Sequence, residues 1–230
     1  MNDSKNFLTT TEKSELEKTI AQTEKETTGE IVVAITDSSG RYDRSEDIFG
    51  FIVGILALLL SHFYLTDIQN NLFRSEWTNN LSMSFPLFDI FSLILGFIAG
   101  TSIASYFPAI AAPFISKKEI QMEIERKSHE IFSRERISKT KDSTGILILI
   151  SLREHIVKIQ PDTKISEKID QSKWDEICLE VLEGIKNNNP ANGLKNSIKT
   201  CGKLLSEHFP ASTESNPNEL TNHIRIYSDH

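Results

Sequence analysis

The chain has 230 residues, with 25 Lys and Arg against 32 Asp and Glu and a formal net charge of −7. A pI near 5.4 argues against a nucleic-acid partner, since such binders neutralise phosphates with a basic face. Two cysteines, Cys178 and Cys201, lack metal-type spacing and read as reduced core thiols.

The amino terminus, MNDSKNFLTTTEKSE, has no apolar stretch that could serve as a signal peptide. Thr9 and Glu12 fit a capping box, which predicts a helix from there to about Thr27 with Leu16 and Ile20 on a narrow apolar stripe. Gly29 stops it. Glu30 to Thr36 (EIVVAIT) is a β-branched run of the kind that forms a buried strand. A polar linker from Asp37 to Asp47 comes next.

Residues 48–116 form the dominant feature. Between Asp47 and Asp67 lie 19 residues without formal charge, and between Asp89 and Lys117 lie 27 more. A hydrocarbon core about 30 Å thick takes roughly 20 apolar residues in a helix. Two transmembrane helices are therefore expected, over 48–66 and 90–115, the second with room for tilt or for an interfacial end near Pro108 and Pro113. The alternative is a pair of helices buried in a large soluble core.

The connector, rich in Asn70, Asn71, Asn79, Asn80, Ser82 and Ser84, carries one basic residue, Arg74. The flanks carry Arg41, Arg44, Lys117, Lys118, Arg126 and Lys127. The positive-inside bias puts both flanks, and with them both termini, in the cytoplasm of a two-span inner or cell membrane protein. Gly50 and Gly54 are four apart, as are Gly96 and Gly100, a spacing that lets helix backbones approach in lipid. In an antiparallel hairpin the second pair is expected nearer the outside, which leaves one row for self-association into a homo-oligomer. His62 is the one histidine inside the first span.

Ser116 and Glu119 suggest a second capping box and a helix to about Ile137. Gly145 to Ser151 (GILILIS) is apolar on both faces, which predicts a central strand; Ile156 to Gln160 pairs with it as a hairpin. Ser172 opens a helix carrying Trp174, Ile177, Cys178 and Val181. Pro190 opens the last, carrying Leu194, Ile198, Cys201, Leu205 and Phe209. The tail from Ala211 is polar apart from Leu220, Ile224, Ile226 and Tyr227, residues able to fold back on the domain. Alternating strands and helices indicate a small α/β fold, discontinuous over 1–47 and 117–210, with the hairpin inserted and a 211–230 tail.

Several stretches together resemble the TPM domain: Glu24, Thr27-Thr28-Gly29-Glu30-Ile31, then Phe132, Thr140 and Gly145-Ile146-Leu147. Ile159, Asp162, Trp174, Gly193-Leu194, Leu204, His208-Phe209-Pro210 and Asn218-Glu219-Leu220 continue the series in order. The resemblance implies a Rossmann-like three-layer α/β/α domain, in a family linked to acid phosphatase activity, photosystem II repair and receptor modulation. Where related sequences have Gly-Asp-Arg-Gly after the hairpin, this chain has Pro161-Asp162-Thr163-Lys164, which takes away the glycine backbone that would grip an anion or metal.

Ligands of open α/β sheets bind at the carboxyl ends of the strands. Asp37 and Arg153 are the candidates there, joined by Asp142 and Asp162 by analogy with family positions. Two or three such carboxylates would hold Ca²⁺ or Mg²⁺, and Arg153 a phosphate. Nucleophile signatures are missing: six residues after Cys178 and Cys201 stand Gly184 and Glu207, not arginine, and Ser133 replaces the second ligand of a zinc helix begun by His129-Glu130. The expected role is a membrane-anchored interaction or assembly module with the lipid bilayer and other membrane proteins as partners; the alternative is a weak metal-dependent phosphatase.

Overall fold

A computed structural model describes residues 4–72, 85–140, 143–211 and 219–228. The chain divides into two compact units, residues 1–40 with 120–230, and residues 41–119.

The first unit is a mixed α/β domain. Helix α1 (Thr10–Thr23) starts with the capping box the sequence announces: Thr9 accepts from Glu12 N, and the Glu12 side chain accepts from Thr9 N at 2.7 Å. It ends sooner than expected, in a 3₁₀ turn over Glu24–Glu26. Strand β1 (Glu30–Thr36) is buried at every position, as is β2 (Gly145–Ser151). They pair in parallel from Glu30 opposite Gly145 to Thr36 opposite Ser151. Strand β3 (Ile156–Pro161) returns antiparallel to β2. A fourth strand, β4 (Arg225–Tyr227), adds to the other edge of β1 in parallel, giving the order β3-β2-β1-β4.

A strand apolar on both faces needs cover on both. Ile31, Val33, Ile35, Ile146, Ile148 and Ile150 join one core cluster with Leu16, Ile20, Trp174, Val181, Leu194, Ile198 and Leu205. The intervening Val32, Ala34, Leu147 and Leu149 join another with Ile131, Phe132 and Ile137. Each set alternates, as the strand period of two demands.

In the second unit, α2 spans Asp43–Leu72 and α3 spans Phe85–Tyr106, succeeded by a single turn, α4 (Pro108–Ala111). Helix α5 (Lys117–Arg134) leads back into the domain; Ser116 caps it, accepting from Glu119 N at 3.1 Å. Arg136, at φ 57°, terminates that region before Ile137. After β3 come a short α6 (Thr163–Ser166), α7 (Gln171–Lys186) and α8 (Pro190–His208). Helices α7 and α8 touch backbone to backbone, because a Cβ on Gly184 would lie 2.6 Å from Gly193 Cα.

The hairpin departs from expectation in three ways. Helix α2 begins inside the supposed linker and takes in Asn70 and Asn71, while α3 stops at Tyr106, short of 115, where Pro108 denies the next helical hydrogen bond. The rest of the connector lies outside the described residues. The glycine rows also meet each other. A Cβ on Gly100 would sit 2.8 Å from Gly50 Cα, and one on Gly96 2.9 Å from Gly54 Cα. Both pairs lie toward the start of α2 and the end of α3, so the two rows sit at the same level of the hairpin and face each other. Near the other end, Asp89 accepts from Ser61 Oγ at 3.1 Å and meets His62 Nδ1 at 3.0 Å. Both helices are long and apolar enough to cross a membrane.

Candidate functional site

The two ends of the sheet differ in chemistry. At the carboxyl ends of β1 and β2 the chain places small hydroxyls and two carboxylates, Glu154 and Asp37. Glu154, in the β2–β3 turn, accepts from Ser39 N at 3.3 Å and meets Ser38 Oγ at 3.1 Å, while Ser151 Oγ also bonds to it. Ser38, Ser39 and Ser151 are buried. Glu154 thus pins the segment leaving β1 to the turn leaving β2. Asp37 and Arg153 stand at the same end, joined by Arg153 N donating to Asp37 O at 2.9 Å. The Asp37 carboxylate accepts from Ser4 N at 2.6 Å, and Asp37 N donates to Tyr227 O at 3.1 Å.

Asp162 stands elsewhere. Because β3 runs antiparallel to β2, its last residues return to the amino end of the sheet, where Asp162 N donates to Gly145 O at 2.9 Å. The seven residues of β2 separate it from Arg153 and Asp37 by about 20 Å, at roughly 3.3 Å per residue. Asp162 there caps α6, with Oδ1 accepting from Thr163 N at 2.7 Å and Oδ2 buried without a hydrogen-bond partner among the described residues. The placement of Asp162 beside Asp37 is therefore corrected: strand direction forbids it. Asp142 lies outside the described residues. Among the described residues, no three His, Cys, Asp or Glu side chains group as a metal ion requires. Asp37 and Asp162 thus cannot share a Ca²⁺ or Mg²⁺, whose oxygen ligands sit within about 2.0–2.6 Å of the ion.

The amino end of the sheet holds the more unusual electrostatics. Glu24 accepts from Ile31 N at 2.8 Å and from Asn222 Nδ2 at 2.5 Å. Glu30 accepts from Glu219 N at 3.2 Å and Leu220 N at 3.3 Å. Burial, with the nearby Glu30 charge adding to it, pushes the Glu24 carboxyl up to about 8 against the lowering effect of its hydrogen bonds. Burial raises Glu30 as well. These two carboxylates hold residues 219–222 and so lead the tail toward β4. Beyond them Arg225 Nε donates to Glu135 at 2.8 Å and Tyr227 Oη to the same carboxylate at 2.7 Å. Burial opposes ionisation of Glu135, but those two bonds and the neighbouring cations hold it below the usual carboxylate range.

Thr27 Oγ1 donates to Phe209 O at 2.7 Å, Thr28 N to the same oxygen at 3.0 Å, and Thr144 Oγ1 to Thr28 O at 2.8 Å. Gly29 is tightly enclosed: a Cβ there would meet Leu205 Cδ1 at 2.8 Å and Thr144 O at 3.3 Å, so a side chain would have to displace Leu205. The Thr-Thr-Gly-Glu, His-Phe-Pro and Glu-Leu stretches therefore converge on one end of β1. A family model of the TPM domain matches residues 1–51 and 114–204. The chain belongs to the TPM domain family. The match stops and resumes around the hairpin, so the TPM domain is continuous in space across a break of more than sixty positions in the chain. The solved NMR structure of the BA42 protein from the psychrophilic bacterium Bizionia argentinensis is similar to it. That likeness has a TM-score of 0.55 at 17% identity and covers 98% of this chain and 99% of that one. At such identity it is a likeness of fold. No curated protein matches the chain.

Sequence reasoning left Ser38 in a polar linker and Ser151 at the end of its strand, and gave Glu154 no part in a site. Their one signal was position, at or just beyond the ends of the two most apolar strands. Glu24 and Glu30 stood out as motif residues, but nothing in the motif says that they grip a segment some 190 positions away.

Proposed function

We propose that this TPM-domain protein is a membrane-anchored interaction or assembly module, held at the surface of an inner or cell membrane by its two-span hairpin. The observation that carries the reading is the outward aspect of that hairpin. Leu60 and Phe63 are 70% and 75% exposed, and Phe51, Leu56, Leu59, Phe91 and Ile98 are all more than half exposed. Helices of a soluble core bury such residues, whereas helices solvated by lipid turn them outward and pack through small ones. Gly50, Gly54, Gly96 and Gly100 do the packing here.

The finer layout we infer is a three-layer, Rossmann-like α/β/α arrangement, supported by core clusters on alternate residues of the same strands. Basic flanks on both sides of the hairpin favour a cytoplasmic domain and cytoplasmic termini. Confined to the bilayer surface, such a domain meets chiefly other membrane proteins or further copies of itself. The metal-dependent phosphatase reading loses its basis in Asp37 and Asp162, which stand at opposite ends of the sheet.

Crosslinking in native membranes followed by mass spectrometry tests the module reading. It predicts crosslinks from exposed lysines of the TPM domain, such as Lys173 and Lys203, to one or a few membrane proteins or to the same chain. Phosphate-ester hydrolysis by the pure protein that is lost in Asp37→Ala, with no specific crosslink, contradicts it.

A further inference from the structure

We propose that residues 106–118 form an interfacial collar, lying in the headgroup layer with their aromatic and aliphatic side chains in the acyl boundary and Lys117 and Lys118 on anionic lipid phosphates. The inference rests on the two-span reading and goes beyond it, since a span by itself does not say where the chain goes next.

Helix α3 has 22 residues, about 33 Å at roughly 1.5 Å each, which uses up a hydrocarbon core of about 30 Å. The chain beyond Tyr106 has no hydrocarbon left to cross. Yet residues 107–115 stay apolar (FPAIAAPFI) and do not continue the helix. Phe107 leaves helical geometry at φ −118° and ψ 78°, since the following proline disfavours the α region for it, and Pro108 and Pro113 each lie at the start of a short turn.

The segment folds back within its own unit. Phe114 rests against Phe49 near the start of α2, with ring centroids 6.4 Å apart, and Ala111 is fully buried. Its other side is apolar and open: Tyr106 is 79% exposed, Phe107 53%, and Ile110 and Phe114 more than a third. Tyr106 and Phe107 pack edge to face at 4.7 Å. The turns satisfy much of their backbone internally, through Phe107 N to Ile103 O at 2.8 Å, Ile110 N to Phe107 O at 2.9 Å and Ile115 N to Ala112 O at 3.2 Å. Irregular backbone is excluded from lipid-exposed hydrocarbon but suits the headgroup layer, where aromatic rings also concentrate. Lys117 and Lys118 are exposed one residue beyond the apolar run, so a pair of cations succeeds it, each attracted to an anionic lipid surface.

Depth-resolved quenching tests the collar. Full-length protein carrying Leu59→Cys, Ile110→Cys or Phe114→Cys is labelled with a small polarity-sensitive fluorophore and reconstituted into phosphatidylcholine–phosphatidylglycerol vesicles. The native thiols are buried, and unsubstituted protein controls for their labelling. The collar predicts probes at 110 and 114 shielded several-fold from aqueous iodide and quenched more by lipid spin-labelled near the headgroup than at mid-chain, with the order reversed at 59. Iodide access at 110 and 114 equal to that of a probe on Lys25→Cys overturns it, as does mid-chain quenching equal to that at 59. Iodide access at 59 itself overturns the two-span reading along with the collar, so the two failures are distinct. Lys117→Gln with Lys118→Gln should abolish any gain in shielding that phosphatidylglycerol gives over phosphatidylcholine alone; a gain left intact refutes the role of the lysines.

Discussion

Replacing Glu24 by Gln should flatten the dependence of the domain's stability on pH. In the unfolded chain this carboxyl ionises near 4.5, and in the folded protein near 8. Between those values the folded state binds the extra proton, so stability falls as pH rises through the interval and is greatest below it. A tenfold change in acidity is about 1.4 kcal/mol, which bounds the loss at roughly 5 kcal/mol. Glutamine keeps an oxygen for Ile31 N–H, and Asn222 can turn its amide to face the new NH₂ group. The substitution therefore removes the titration with little change of shape. Glu30 is raised by burial too, which leaves a smaller slope of the same sign. Glu12 and Glu135, whose carboxyls are lowered, act in the opposite sense, losing stability only as pH falls below the usual carboxylate range. The assay is thermal unfolding of the full chain in mild detergent at pH 5, 6, 7 and 8, monitored through emission of Trp174, which is fully buried. At about 2–4 °C per kcal/mol for a domain near this size, wild type should lose at least about 5 °C across the series, and Glu24→Gln less than half of that. Equal slopes in the two proteins would refute the reasoning.

The same geometry predicts three further outcomes. Gly54→Leu drives a side chain into Leu93 O, 2.9 Å from its Cβ position, and should cost the hairpin about 1–3 kcal/mol, read as a lower denaturant midpoint by steric trapping in micelles; an unchanged midpoint contradicts the seam. Asp89→Ala strips the partner from Ser61 and His62 and should cost about 0.6–1.7 kcal/mol in the same assay, with Asp89→Asn retaining most of the stability. Glu154→Ala takes the shared carboxylate away from Ser39 N and from the Ser151 hydroxyl, while the Ser38 hydroxyl keeps its bond to Gly40 O at 2.8 Å. A loss of about 1–3 kcal/mol is expected, visible as faster amide exchange at residues 37–40; unaltered exchange there would count against the pin.

The elements with a strong local period were legible from sequence. EIVVAIT and GILILIS are apolar at nearly every position, which only a strand covered on both faces tolerates, and both are strands with the expected limits. The Thr9–Glu12 box is a short-range interaction that the spacing alone specifies. What escaped depends on partners far apart in the chain. Strand β4 is three residues inside a polar tail, and it exists because Glu24, Glu30 and Glu135 seize that tail from across the fold. The glycine rows were visible as a spacing, but which faces meet depends on where α2 and α3 begin and end, and both boundaries differ from the charge-free limits. Asp162 was misplaced for the same reason. Its position at the end of a strand was evident, but the direction of that strand relative to Asp37 is a property of the whole sheet.

Impermeant maleimide labelling of intact cells tests the central claim most directly. With Asn79→Cys in the connector and Lys186→Cys at the exposed end of α7, the two-span account predicts that position 79 is labelled from outside at once. Position 186 should react only after the membrane is permeabilised. Labelling of position 79 only after permeabilisation, together with position 186, would mean that the chain between Asp47 and Lys117 does not cross the bilayer.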